Sequence, residues 1–526
     1  MTTKHTVLGQ HHLVQLIAAA LYCAKDIANF TYAIVQDTAT EDAIRVLWSR
    51  HQTFLAPLLL TSPDGCLQPQ ERMEAPLNLC AFVAPENIGS VKWDRFIRHA
   101  GYMKKIVLDF GCRSLTAVLP ALVFVLKKLG SAENIFRNLK TLHLVNLVDV
   151  NEVLEFVSWL MHTSSESKSP MMELVLENPG RNKALTLLAH LPSLPRVSHI
   201  VVSRVRAPDG IVLLDKAKSL SNLTNLTLLF DIQPASDIYK TLPLLVNLEV
   251  LRLTFYPRPL SPHAEGPLPE CDPRGTLHKM KRVFISSPFL VDLYRPNLLF
   301  YMPALQHVHL ESRAQMADGA TYLRLLGRLS ESPLLEHITL TCRPEEALSR
   351  LYNFIPSDLY VHDHHIWPLG QCKALRTFIF SPLLSCDTLT DQVFVHIALS
   401  CRRLERFNVG GNSALLSKQP MATLASVKAF AVYDLSLEIL NIPHTCVFES
   451  EEIIKEDPVH NKLRVLGGLL VGSVWIYSRI MKHMFPNLEF VTVLQPHPTD
   501  DEPLQKYLKL TDTPVYCFNP RRYTHV

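Results

Sequence analysis

A six-residue pattern of apolar and polar positions recurs along the chain from residue 103 to residue 493. Its form is apolar-x-x-apolar-x-apolar, and clear examples are LKTLHL from Leu139 and LQHVHL from Leu305. The fourteen copies, of which LRVLGG at Leu463 is partial, start at Met103, Leu139, Met171, Val197, Leu223, Leu248, Met280, Leu305, Leu335, Leu375, Leu404, Leu437, Leu463 and Leu488. The interval between copies ranges from 25 residues, after Leu223, to 40 residues, after Leu335. A period of this length is typical of repeat proteins.

Each copy predicts a short β-strand. Because side chains alternate along a strand, the fourth and sixth positions point to one face, and the third and fifth positions point to the other and can stay polar. Helical patterns lie between the copies at 150–164, 320–331, 390–403 and 478–485. One strand and one helix cannot bury an apolar face alone, so neighbouring units must stack. We therefore predict an α/β leucine-rich-repeat-like solenoid, a curved parallel sheet with helices on its outer face.

Two local features refine this repeat assignment. Asn146, Asn178 and Asn412 lie near the position at which strict leucine-rich repeats carry asparagine or cysteine after the strand. VKAFAV from Val427 also fits the six-residue pattern, but a helix that begins at Thr423 accounts for it better. We interpret that segment as helix.

Residues 11–60 contain no copy of the pattern and are helix-patterned throughout. HHLVQLIAAAL, KDIANFTYAIV and TEDAIRVLW, in this order, resemble the N-terminus of fungal F-box proteins with leucine-rich repeats. The stretch 461–493 is similar to the closing repeats of that family. The resemblance divides the chain into a divergent F-box-like helical module (1–60), a linker (61–92) and a solenoid of about 14 units (93–526).

The resemblance implies a substrate-recognition adaptor of a ubiquitin ligase of the Skp1-cullin-F-box type, which does no chemistry itself. The helical module would bind the Skp1-like adaptor of the cullin complex, and the repeats would bind an unknown protein target. The residues that match the family's Skp1-binding helices are Leu13, Leu16, Ile17, Ile27, Val35, Ile44, Leu47 and Trp48. Gln36 and Asp37 replace the cysteine and arginine of the family signature. The alternative is an interaction scaffold that does not bind Skp1, in which these helices only cover the first repeat.

Composition and charge narrow the classes of partner and compartment. The chain has 526 residues, with 52 Lys and Arg against 49 Asp and Glu. Near-neutrality argues against nucleic acid or a membrane surface as the main partner. No secretory signal and no apolar run long enough for a membrane span is present. Eleven scattered cysteines without a CxxC pair indicate reduced thiols and a cytoplasmic or nuclear protein.

The third and fifth positions of the central copies predict the composition of the open strand face. They place basic and aromatic side chains side by side, at Arg252, Arg282, Phe284, His307, His309 and His337. Arginine and aromatic residues often dominate interface energies, so a target with acidic or phosphorylated groups is the specific hypothesis. A solvated face without a dedicated partner is the alternative.

The rest of the sequence offers no strong motif for metal binding or catalysis. VHDHHIWPL, residues 361–369, groups three histidines with Asp363, but adjacent residues rarely all reach one ion, so an exposed loop is favoured over a metal site. Six prolines between Pro257 and Pro273 predict an extended insertion. No phosphate-binding glycine motif and no nucleophile motif is present. The sequence predicts no catalytic residue, no metal site and no cofactor.

Overall fold

A computed structural model describes most of the predicted repeats. The residues it describes are 67–69, 80–82, 93–110, 113–147, 151–161, 172–178, 197–205, 217, 220, 222–230, 242–255, 275–287, 300–312, 319–342, 360–381, 386–410, 420–446, 459–460, 462–471, 484–494 and 515–518. The predicted Skp1-binding residues Leu13, Leu16, Ile17, Ile27, Val35, Ile44, Leu47 and Trp48 lie outside them, as do Asn412 and almost all of the proline-rich segment. The chain forms two compact units, residues 1–247 and 248–526.

The first unit contains a parallel sheet preceded by a short antiparallel pair. Its described strands are β1 (Leu67–Pro69), β2 (Cys80–Phe82), β3 (Lys105–Asp109), β4 (Thr141–Val145), β5 (Met172–Glu177), β6 (Val197–Val205) and β7 (Asn225–Phe230). Its described helices are α1 (Asp94–Ala100), α2 (Arg113–Leu129), α3 (Ala132–Ile135) and α4 (Asn151–Met161). Strands β3 to β7 pair in sequence order, each parallel to the next, as stacked repeats require. The pair of β1 with β2 falls within the stretch assigned to a linker.

Polar side chains form a ladder where β3, β4 and β5 of the first unit end. The Asn146 side-chain amide donates to Asp109 Oδ1 at 3.0 Å, and that of Asn178 donates to Asn146 Oδ1 at 2.6 Å. Both asparagines have positive φ, 52° and 48°, in a region that asparagine tolerates better than most residues. Two of the three asparagines singled out in the sequence therefore bridge consecutive turns.

The second unit contains a longer run of parallel strands. The strands described in it are β8 (Val250–Phe255), β9 (Gly275–Thr276), β10 (Arg282–Ser287), β11 (Phe300–Tyr301), β12 (His307–Ser312), β13 (His337–Cys342), β14 (Thr377–Ser381), β15 (Arg406–Val409), β16 (Ile439–Cys446), β17 (Val465–Val471), β18 (Phe490–Leu494) and β19 (Val515–Phe518). Its described helices are α5 (Gly319–Leu329), α6 (Asp363–Ile366), α7 (Asp391–Ser400) and α8 (Leu424–Tyr433). β9 and β11 form a separate two-stranded sheet, and the other strands pair in parallel in sequence order. The sequence pattern did not predict β9, β11 or β19.

The core of the second unit lies between the strands and the helices. In the copies that start between Leu248 and Leu437, the fourth and sixth positions are buried, as Phe378 and Phe380 of β14 illustrate. Tyr322 of α5 packs edge-on against Phe380 with ring centroids 4.9 Å apart, and Phe430 of α8 packs against Phe407 of β15 at 5.0 Å. Helices therefore cover one face of these strands and leave the third and fifth positions on the opposite face.

Carboxylates at helix starts connect consecutive repeats. Asp363, the first residue of α6, accepts a hydrogen bond from the Thr390 amide at 2.8 Å and another from its hydroxyl group. Asp391, the first residue of α7, accepts from the Thr423 amide at 2.8 Å and from its hydroxyl group at 2.7 Å. Thr390 and Thr423 are the N-caps of α7 and α8, so each carboxylate fixes the cap of the next helix.

The repeat prediction is confirmed, with one local correction. Each of the fourteen copies of the pattern contains a described strand, and both units have the leucine-rich-repeat-like α/β architecture. VKAFAV lies within α8, as interpreted from the sequence. The segment 361–369 is not a loop, because it forms α6 and a 3-10 turn at Trp367–Gln371. A reciprocal capping box between His362 and His365 starts α6, and burial of His365 and Ile366 anchors it.

Candidate functional site on the open strand face

The open strand face is the surface formed by the third and fifth repeat positions of β8, β10, β12 and β13. Along the first five residues of each of these strands, buried residues alternate with half-exposed or exposed ones. The buried side chains are Leu251, Leu253, Val283, Ile285, Val308, Leu310, Ile338 and Leu340. The outward side chains do not pack in the core, so the core does not determine their residue types.

Parallel register arranges the outward residues in two transverse rows. In the first row Val250 pairs with Arg282, which pairs with His307, which pairs with His337. In the second row the order of paired residues is Arg252, Phe284, His309 and Thr339. Neighbouring strands lie about 4.8 Å apart, so adjacent members of a row are within contact distance. The structure thus brings together all six residues that the sequence placed on this face.

A cation–π contact begins the second row. The guanidinium carbon of Arg252 lies 4.9 Å from the centroid of the Phe284 ring. The ring of His309 lies on the other side of Phe284, with centroids 6.2 Å apart and planes inclined by 34°. Contacts of this kind restrict the orientation of the arginine and of the two rings. The row therefore presents an ordered cation and two ordered rings.

A stacked histidine pair occupies the first row. The rings of His307 and His337 are 4.3 Å apart between centroids and nearly parallel, with an angle of 8°. Burial lowers the pKa of His307 below its usual range, and electrostatic interactions with His337 and Arg282 lower it further. Glu336 opposes this effect. Close packing of two imidazoles beside an arginine therefore favours the neutral form of His307.

Acidic residues, which the sequence pattern did not single out, lie next to the histidines of this face. Glu336 Oε2 is 3.8 Å from His337 Nε2, and Glu311 Oε2 is 3.9 Å from His309 Nε2. Beside the face, Lys281 forms an ion pair with Glu249 at 2.8 Å. The face is therefore mixed in charge around its arginines and histidines rather than uniformly basic. Glu311 and Glu336 occupy positions at which the repeat pattern allows any residue. Their proximity to histidines could therefore be recognised only once the strand register was known.

The residues able to bind a metal ion are also on this face. Among the described residues, the donor atoms of His307, Glu336 and His337 lie within 4.8 Å of one another. In the histidine-rich segment 361–369, both Asp363 oxygens accept hydrogen bonds from Thr390, and His365 Nδ1 accepts one from the His362 amide at 3.0 Å. The sequence indicated part of this cluster, because histidine occupies the third position of both LQHVHL and LEHITL, which start 30 residues apart.

Two further predictions concern thiols and membranes. Cys372 and Cys401 are free thiols. Burial raises the pKa of Cys342 to about 11 and the pKa values of Cys372 and Cys401 to about 12. Within the part of the chain that the structure describes, no helix has both the length and the apolar character needed to cross a bilayer.

Comparisons with known proteins give similarities at the level of solved structures. No protein-family model and no curated protein matches the chain. The chain is similar to the crystal structure of a TLR13–ssRNA13 complex, with 14% identity, a TM-score of 0.37, and coverage of 76% of this chain and 55% of that chain. It is similar to the yeast Rad7–Elc1 complex, with 14% identity, a TM-score of 0.28, and coverage of 73% and 86%. It is also similar to the leucine-rich-repeat ectodomain of the Arabidopsis receptor kinase HAESA in complex with a peptide hormone, with 12% identity, a TM-score of 0.24, and coverage of 70% and 64%. The chain spans about half the length of the TLR13 chain.

Proposed function

We propose that this protein recruits a protein target to a ubiquitin ligase of the Skp1-cullin-F-box type. In this proposal the open strand face binds the target and residues 1–60 bind Skp1, in the cytoplasm or the nucleus. The chain itself carries out no chemical step. The observation that supports target binding is the pair of in-register rows on the open strand face, in which Arg252, Phe284 and His309 contact one another in order.

The physical properties of the open strand face suit a protein partner. Backbone pairing holds the rows rigidly, so little conformational entropy is lost from the strands on binding. Arginine and aromatic side chains are the types that most often supply the binding energy of an interface. Arg282 is exposed, and Arg252 is exposed and oriented by Phe284, so both guanidinium groups are available for carboxylate or phosphate oxygens. A target segment with acidic or phosphorylated side chains fits this surface.

The proposed role of residues 1–60 rests on their resemblance to the family's F-box helices. The apolar positions through Leu47 and Trp48 match that pattern, whereas Gln36 and Asp37 depart from the signature. This departure favours a second candidate, an interaction scaffold that uses the same open strand face and does not bind Skp1. The two candidates share target binding and differ only in the function of residues 1–60.

Titration of purified Skp1 against the full-length chain distinguishes the two candidates. The adaptor proposal expects saturable binding that weakens by about 30-fold or more in Leu47→Asp/Trp48→Asp, because loss of a central apolar anchor costs about 2 kcal/mol or more. The matched control is Arg252→Glu/Arg282→Glu, which alters the open strand face and should retain the affinity for Skp1. Circular dichroism and the unfolding midpoint must match those of the wild-type chain. Absence of Skp1 binding by the folded wild-type chain refutes the adaptor proposal and leaves the scaffold.

A further inference from the structure

The cluster of His307, Glu336 and His337 combines three potential metal ligands on adjacent strands. His307 lies on β12 and His337 directly opposite it on β13, while Glu336 immediately precedes β13. One donor atom from each residue lies within 4.8 Å of the other two. All three side chains are half-exposed, so an ion can reach them from solvent. This cluster is not required by the repeat fold, since outward positions tolerate any polar residue.

The backbone around the cluster is fixed by hydrogen bonds. The amides of Glu336 and His337 both donate to the Gln306 carbonyl oxygen at 2.9 Å. The His307 amide donates to the Lys281 carbonyl oxygen at 3.0 Å. These bonds set the relative positions of the three Cα atoms before any ligand arrives. Only side-chain torsions then remain to be adjusted, which limits the entropic cost of forming a site.

We propose that His307, Glu336 and His337 form a binding site for a divalent transition-metal ion of the zinc class. Two imidazoles and one carboxylate are a ligand set that zinc accepts, with a fourth position left for water or another donor. The same set suits other borderline divalent ions, whereas magnesium and calcium prefer oxygen ligands alone. This inference goes beyond the proposed function, because it concerns the free chain and requires neither Skp1 nor a target.

The stacked arrangement of the two rings determines what binding must change. Imidazole lone pairs lie in the ring planes, and the planes of His307 and His337 are nearly parallel at 4.3 Å. A shared ion therefore requires at least one ring to rotate about its Cβ–Cγ bond. This torsion has a broad energy profile, and both side chains are half-exposed. The stack is thus the metal-free arrangement, and binding should separate the rings.

The charged residues next to the site should change its affinity for a metal ion in predictable directions. Arg282 pairs with His307 in the parallel register, so its positive charge disfavours a cation at the cluster. The Glu336 carboxylate favours one. Replacement of Arg282 by a neutral residue should therefore strengthen metal binding, whereas replacement of Glu336 by Gln should weaken it. A purely structural role of these side chains would produce neither change.

Calorimetric titration of the metal-free full-length chain with zinc chloride at near-neutral pH tests the proposal. His307→Ala and His337→Ala should each lose one zinc equivalent or weaken its binding by roughly tenfold or more, because even loss of an outer-shell partner costs about 10- to 100-fold. The controls His309→Ala and His364→Ala remove histidines outside the cluster and should bind zinc as the wild-type chain does. Arg282→Gln should bind zinc more tightly.

A second measurement protects the test against misfolding and against zinc bound by other histidines. Cobalt binding should give visible absorption in the wild-type chain, and His337→Gln, which retains a polar side chain, should lose the same fraction of that signal as His337→Ala. Each variant must match the wild-type circular dichroism. Equal zinc stoichiometry and affinity in the wild-type chain and in His307→Ala/His337→Ala overturn the proposal. Absence of zinc binding by the wild-type chain does so as well.

Discussion

Removal of the Asp391 carboxylate should destabilise the second unit through the cap of α8. Asp391 accepts hydrogen bonds from the Thr423 amide at 2.8 Å, the Thr423 hydroxyl group at 2.7 Å, the Ser426 amide at 3.2 Å and the Ser426 hydroxyl group. The two amides belong to the start of α8, where backbone donors lack the acceptor four residues earlier that the rest of the helix provides. The Ser426 amide has one other acceptor, the Thr423 carbonyl oxygen at 3.2 Å. Asp391→Ala removes all four of these hydrogen bonds.

The expected cost follows from the number and exposure of these bonds. A hydrogen bond to a charged group contributes about 1.5–3 kcal/mol, and loss of an N-cap costs about 0.5–2 kcal/mol. Thr423 is exposed, so water can replace part of what is lost there, whereas Ser426 is fully buried. We therefore expect Asp391→Ala to lower the free energy of unfolding by about 2–4 kcal/mol.

Urea unfolding followed by circular dichroism measures this loss, and hydrogen exchange of the amides in 424–433 locates it. The matched control is Glu405→Ala, which breaks an exposed ion pair with Arg376 at 3.2 Å and should cost about 1 kcal/mol or less. Asp391→Asn, which retains one acceptor oxygen, should fall between the two. If Asp391→Ala costs no more than Glu405→Ala, with unchanged exchange in α8, the proposed link between consecutive caps is wrong.

Three further predictions concern pH, the open strand face and the buried thiols. Burial raises the pKa of Asp434 from 3.8 to about 7, so the folded chain binds this proton more tightly and stability should fall as pH rises from about 4 to 7. Asp434→Asn should remove that contribution of about 4 kcal/mol. If the urea midpoint changes with pH in the same way in the wild-type chain and in this variant, the prediction is wrong. Arg252→Glu/Arg282→Glu should reduce recovery of target proteins that co-purify with the wild-type chain by about tenfold or more, and equal recovery excludes a role for these cations. Cys372 and Cys401 should be alkylated much more slowly in the native chain at pH 8 than in urea, as peptide mass spectrometry can measure, and equal rates would contradict their burial.

The repeat architecture was predictable because its signal is apolar periodicity. A residue such as Leu310 or Phe380 is buried wherever its strand stacks, so the pattern survives almost any choice of outward residues. The asparagine ladder was partly visible for a similar reason, since Asn146 and Asn178 follow their strands at the same position and adopt the same positive φ. Geometry that recurs in successive repeats favours the same residue types at the same positions, so it can be recognised in the sequence.

Features that depend on neighbouring repeats left much weaker traces. The grouping of Glu336 with His307 depends on which strand follows which and in what register. The role of the Asp363 carboxylate depends on Thr390, which lies 27 residues further along the chain and donates a hydrogen bond to it. The sequence therefore pointed to the adjacent histidines of 361–369 as possible metal ligands. The three potential ligands that lie close together in the structure, His307, Glu336 and His337, come from two repeats.

Photo-crosslinking from a single position tests most directly whether the open strand face binds the target. A photoreactive amino acid at Thr339, in the row of His309, should give discrete covalent adducts in cells, and Arg252→Glu/Arg282→Glu should abolish them. The same probe at Arg324, exposed on α5 on the helix-covered side of the strands, should give none of these adducts. Identical adducts from both positions, unchanged by the arginine substitutions, would contradict target binding by this face.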